Sequence, residues 1–275
     1  DTTRAMASLL GVLDPEWHTH WLDVAVKLLQ RPVSLAILQG HSQELKHSSF
    51  SPTGHHVAAA SYDGTVSVWD ARGHGDPLVL SGHTGRAHVV RFSPDGRYLV
   101  STSADGTARV WDLARPGASF VLPNHNGPVY YAAFSPDGRR IATSSGDGNI
   151  RLWSAKSEDL AAGRPPQLLT GHQGEVLHVE WSPDGARLVS ASIDGTARVW
   201  SLANPERSIV LEHDKLVYRA HFSPDGARIV TASEDDEAGL WRTRDGHRLG
   251  ILDGHRGGVR DAVFSPDGTK PVTAA

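Results

Sequence analysis

The chain has 275 residues, is 39% hydrophobic and carries a net charge of −4. That is enough length to bury a large core, without the basic balance that accompanies nucleic acid or an anionic membrane surface. Cysteine is absent, which excludes disulfides and thiolate metal sites and fits a cytoplasmic location, and no apolar run approaches the length of a membrane span.

The chain opens on Asp1 rather than Met, so a piece of a longer protein is expected. Residues 1–32 read as a helical segment unlike the rest. Thr2 or Thr3 caps a short helix through Leu13, and Asp14-Pro15 supplies the cap and first-turn proline of a second helix that Arg31-Pro32 halts. Trp17, Trp21, Val24 and Leu28 form one apolar stripe. This helix either lies on the domain that follows or is the end of a helical linker from a larger upstream domain. His18 and His20 fall on different faces of that helix, so no metal site is expected there.

Residues 33–275 form a second unit built from one repeat. Leu35–Leu38 reads as an outer strand, and then four landmarks recur in constant order at intervals of about 42 residues. They are a His, an SPxG turn, a Ser-x-Asp turn and a Trp. Between Gly82 and Asp112, Val89–Phe92 and Tyr98–Ser103 are β-branched or aromatic runs joined by Pro94-Asp95-Gly96, the composition of a hairpin. Asp105-Gly106 then turns into an alternating strand ending at Trp111, and Phe120–Leu122 makes a fourth. One such sheet cannot bury both faces alone, so neighbours must stack around an axis.

The last repeat has strands at Val259–Phe264 and Lys270–Thr273, and the sequence ends at Ala275 before any Asp turn or Trp. The fifth replaces the usual DG turn with Ser233-Glu234-Asp235-Asp236-Glu237, so local strain is expected there; its acids read as a solvated turn rather than a calcium loop. Residues 157–167 read as a passive surface insertion.

The G-H opening, W-D closing and period of these repeats closely resemble the WD40 family of β-propellers, from Leu35 to the C-terminus. The resemblance implies an all-β propeller with five full blades and part of a sixth. Because the family is usually seven-bladed, it also implies a parent continuing for at least one and a half blades; the alternative is a six-bladed closure that uses Leu35–Leu38. It further implies a buried hydrogen-bonded tetrad in each blade: His41, Ser61, Asp63, Trp69; His83, Ser103, Asp105, Trp111; His125, Ser145, Asp147, Trp153; His172, Ser192, Asp194, Trp200; and His213, Ser233, Asp235, Trp241.

Recognition would then fall to one rim. Three positions per blade, taken from the family pattern, offer Lys46, Tyr62, Arg86, His88, Tyr130, Leu177, Tyr218 and Arg260, including aromatic and arginine anchors of the kind enriched at protein contacts. The partner implied is a protein or peptide, an upstream domain of the same parent chain included, and no nucleic acid, membrane, cofactor or metal is expected. The repetition and the preceding Trp-containing segment are similar to bacterial WD40 arrays that follow a kinase or STAND-type NTPase domain, implying a sensor or regulatory module in signalling.

A Ser-His-Asp set in every repeat argues against a hydrolase, which needs one nucleophile in one cleft, and no GxSxG is present. The run SADGTARVW superficially resembles a glycosidase Asp-box, but its arginine, at 109, 151 and 198, marks one repeat position on a strand.

Overall fold

A computed structural model describes residues 39–115 and 117–275. The expected N-terminal helices and the strand at Leu35–Leu38 lie outside the described residues.

Strands follow one another in antiparallel meanders whose order along the chain is their order in the sheet. The first sheet comprises β1 (Leu45–Phe50), β2 (His56–Ser61), β3 (Val66–Asp70) and β4 (Leu78–Leu80); the second comprises β5 (Ala87–Phe92), β6 (Tyr98–Ser103), β7 (Ala108–Asp112) and β8 (Ser119–Leu122). The third is β9 (Val129–Phe134), β10 (Arg140–Ser145), β11 (Ile150–Ser154) and β12 (Gln167–Leu169). In the fourth stand β13 (Val176–Trp181), β14 (Arg187–Ser192), β15 (Thr196–Ser201) and β16 (Asn204–Glu212), and in the fifth β17 (Val217–Phe222), β18 (Arg228–Ser233), β19 (Ala238–Arg242) and β20 (Arg248–Leu252). A hairpin of β21 (Asp261–Phe264) and β22 (Pro271–Ala274) completes the set.

Each first hairpin closes on its SPxG turn by the same local chemistry. Ser93 Oγ donates to Asp95 and accepts the Tyr98 N–H at 2.9 Å, while Gly96 takes φ +70°, a left-handed conformation that L side chains avoid. The turns also touch: a β-carbon at Gly96, Gly138, Gly185, Gly226 or Gly268 would lie within van der Waals contact of Pro52, Pro94, Pro136, Pro183 or Pro224 of the preceding sheet. Glycine thus serves both the backbone angle and the close fit along this rim.

The core is divided into wedges, each lying between one sheet and the next. Ala58, Ala60, Val66, Val68 and Leu80 face Val90, Leu99 and Trp111 of the following sheet; Val100, Val110 and Leu122 face Ile141 and Trp153; and the pattern repeats to Val230, Ala232 and Ala238 against Val259 and Ala262. Each sheet therefore turns small and β-branched residues forward and its tryptophan face backward. Full burial of each larger aliphatic side chain is worth about 1.5–3 kcal/mol, so no sheet is stable without its neighbour. The innermost strands run β1, β5, β9, β13, β17, β21, each packed on the next, and no comparable packing joins β21 to β1 among the described residues.

One sequence expectation is corrected and another is located. The insertion at residues 157–167 is not passive: it holds a short helix, α1 (Ser157–Ala161), whose Leu160 packs into the cluster containing Trp153, and Ser157 Oγ lies 2.9 Å from Tyr98 Oη of the preceding sheet. The strain expected in the fifth repeat falls on Asp236, at φ +70°.

Candidate functional site

The polar landmarks assemble at the end of each sheet opposite the SPxG turns. In the second sheet His83 Nδ1 donates to Asp105 Oδ2 at 3.0 Å, and its Nε2 accepts from Ser101 Oγ at 2.8 Å. Trp111 Nε1 donates to the same Ser101 Oγ, also at 2.8 Å. The His loop is tied down further by the Thr84 N–H on Asp105, at 2.9 Å. The fourth sheet repeats this geometry through His172, Ser190, Asp194 and Trp200, and the fifth through His213, Thr231, Asp235 and Trp241.

The bridging hydroxyl is therefore not the one expected from sequence. Ser61, Ser103, Ser145, Ser192 and Ser233 sit two residues farther along the strand, where each accepts the N–H of its turn Asp. The reason is register. Ser101 pairs with Arg109 and lies diagonal to Trp111, whereas Ser103 bonds through its backbone to Thr107, two residues farther from the indole. Both serines point to the same face, so alternation alone does not separate them. Thr65, Thr107 and Thr196 are a further set that the sequence reading missed; their hydroxyls donate to the turn carboxylates at 2.6–2.7 Å.

Two sheets depart from the pattern. The first has Ala59 at the bridging position, so Trp69 Nε1 donates instead to the Gln39 carbonyl at 3.0 Å, and His41 Nε2 is buried without a partner among the described residues. In the third, Arg151 takes Asp147 at 2.7 Å, leaving His125 Nδ1 unpartnered although its Nε2 still meets Thr143 at 2.9 Å.

The electrostatics match a scaffold of neutral imidazoles and ionised carboxylates. Burial pushes the His125 pKa down to about 4, with Arg151 adding to the effect. Burial works the other way on Asp194, but hydrogen bonds from the Gln173 N–H and Thr196 hold it at about 2. Ser101 and Ser190 have no solvent exposure and already accept an indole N–H, so these Ser-His-Asp arrays present no nucleophile to a substrate.

The rim residues converge instead. Lys46, Tyr62, His88, Tyr130, Leu177, Tyr218 and Arg260 line one cavity of about 470 Å³, together with His47, Val89 and Arg219. Arg86 is not part of that lining; its guanidinium lies 5.0 Å from the centre of the Tyr62 ring. Lys46, His88, Tyr130, Leu177 and Tyr218 share a cause for their orientation: each falls at a register shift in the pairing of its inner strand with the next, where the ladder skips a residue. Such a bulge re-aims a side chain and lets two successive residues, such as Lys46 and His47, face the same opening. His47, Val89 and Arg219 escaped the sequence reading because strict alternation places them elsewhere.

The cavity is pre-ordered by its own contacts. His88 stacks on Tyr130 with ring centres 5.7 Å apart and planes at 12°, and Tyr130 Oη donates to Glu175 at 2.6 Å. Burial and that carboxylate push the Tyr130 phenol up to about 12. Arg260 lies 4.3 Å from the Tyr218 ring centre, and Tyr218 Oη contacts Glu234 at 3.4 Å. Of the acidic turn, Asp235 pairs with His213 and Glu237 with Arg248, so these carboxylates are spent on the protein itself.

A family model described as WD domain, G-beta repeat matches residues 32–70, 77–112, 118–154, 163–201, 205–242 and 246–273. No curated protein matches the chain.

Proposed function

The chain belongs to the WD40 repeat family, and on that premise we propose that it is a non-catalytic scaffold that takes a protein or peptide segment across this cavity. WD40 repeats generally mediate contacts between proteins. The observation that carries the assignment to this face is the convergence of seven side chains from six different repeats on one cavity. Tyrosines held by neighbouring imidazole, carboxylate and guanidinium groups lose little freedom on binding, and paired aromatic and arginine anchors are the commonest hot-spot residues. The sheets form an incomplete propeller in this reading, and the module serves as the sensor or regulatory part of a larger bacterial signalling protein in the cytoplasm. An upstream domain of the same parent chain is then one natural occupant. The net charge of −4 favours a protein partner over nucleic acid or an anionic membrane.

A displayed peptide library panned on the full chain tests the face. Selected peptides should lose at least tenfold in affinity for the Tyr130→Ala/Tyr218→Ala double variant while its melting curve stays within a few degrees of the parent. Undiminished binding to that variant would place recognition elsewhere.

A further inference from the structure

A second constellation lies on the inner strands β13 and β17. His178 and Glu180 are two apart on β13 and so share a face, and His221 projects from β17 beside them. One donor atom from each of the three lies within 4.8 Å of the other two. His178 is 1% exposed, its Nδ1 has no partner, and its ring centre is 4.7 Å from that of His221. Glu180 Oε2 lies 2.5 Å from His221 Nδ1, and Asp261 Oδ1 of β21 lies 3.3 Å from its Nε2. Glu180 and His221 also line a cavity of about 370 Å³, which gives an approach from solvent.

We infer that His178, Glu180 and His221 form a binding site for a divalent transition metal, zinc being the best match. Two imidazoles and one carboxylate around an open position are a recurrent zinc donor set, also suited to cobalt, nickel and copper. Donors about 2.0–2.2 Å from one ion stand roughly 3.3 Å apart, so binding parts Glu180 from His221, now 2.5 Å apart, and draws in any donor beyond that spacing. At 2.5 Å the contact between His221 and Glu180 is a hydrogen bond donated by Nδ1, so metal binding displaces that proton; Asp261, 3.3 Å from Nε2, then stands where a carboxylate behind the ligand is needed. Arg91 hydrogen-bonds Tyr131 Oη and Arg219 lies over the Tyr131 ring, so the nearest cations are held on the tyrosine beside the site. The ion would tie β13 directly to β17, making a cross-link between two successive sheets.

Titration of the full chain with cobalt alone tests this through its visible absorption, and zinc competition through loss of that band. One equivalent should bind, with a melting temperature that rises with metal, and His178→Ala and Glu180→Gln should each weaken binding at least tenfold. Because Glu180 is half-exposed, its glutamine variant reports the loss even where His178→Ala fails to fold. No cobalt band at millimolar metal, or equal binding by the parent and Glu180→Gln, would overturn the site.

Discussion

Replacing Ser101 by Ala removes one oxygen on which two buried groups depend. Its hydroxyl accepts the Trp111 indole N–H and donates to His83 Nε2, both at 2.8 Å, and the residue has no solvent exposure. Each stranded group costs about 1–3 kcal/mol, and with partial relaxation the total should reach about 2–4 kcal/mol. At about 2–4 °C for each kcal/mol in a chain of this size, the melting temperature should drop by roughly 5–15 °C. Ser103→Ala removes only a hydroxyl that accepts the Asp105 N–H at 3.1 Å, so about 1 kcal/mol is expected. Ser101→Thr should be nearly neutral, because Thr143 and Thr231 fill the same place in other sheets. Urea unfolding followed by tryptophan fluorescence compares the three variants, with hydrogen exchange at β6 to separate local opening from global unfolding. Should Ser103→Ala unfold at lower urea than Ser101→Ala, the assignment of the bridging hydroxyl is wrong.

The first sheet permits the reverse experiment: Ala59→Ser places a hydroxyl where His41 Nε2 has no partner among the described residues and should raise the urea midpoint, whereas an unchanged or lower midpoint would show that the site has no room for the bond. Acid should destabilise the chain in a defined window. The His125 pKa is lowered from 6.5 to about 4, so between those values the unfolded chain binds a proton that the folded one does not. Stability is thus complete above about pH 6.5 and declines as pH falls toward 4, by up to about 3 kcal/mol from this residue alone. His47, lowered to about 4 by burial and by Arg91 and Arg219, acts in the same direction. A urea midpoint that stays level from pH 7 to 4.5 would contradict this. Leu160→Ala should cost about 2–3 kcal/mol by uncovering the Trp153 cluster, and a loss under 0.5 kcal/mol would return α1 to the status of a passive loop.

Much of this architecture is local and therefore legible in the amino-acid order. Pro94, Asp95 and Gly96 define a hairpin because φ, a side-chain-to-backbone bond and a left-handed angle are properties of the turn alone. Recurrence of His, Asp and Trp at fixed spacing places the sheets in series, and the Asp–His pairs follow directly in the four sheets where nothing competes for the carboxylate. What depends on register was decided only in three dimensions. Ser101 and Ser103 are indistinguishable by alternation, and only pairing with β7 shows which lies diagonal to the indole. The swing of Arg151 onto Asp147, which orphans one nitrogen of His125, is a competition between side chains that spacing cannot weigh. Bulges in the inner strands aim residues at the cavity against strict alternation, and His178 and His221 meet only because one sheet packs on the next. Turn geometry and strand periodicity are short-range and so written residue by residue, whereas the identity of a side chain's partner is settled by packing between segments some forty residues apart.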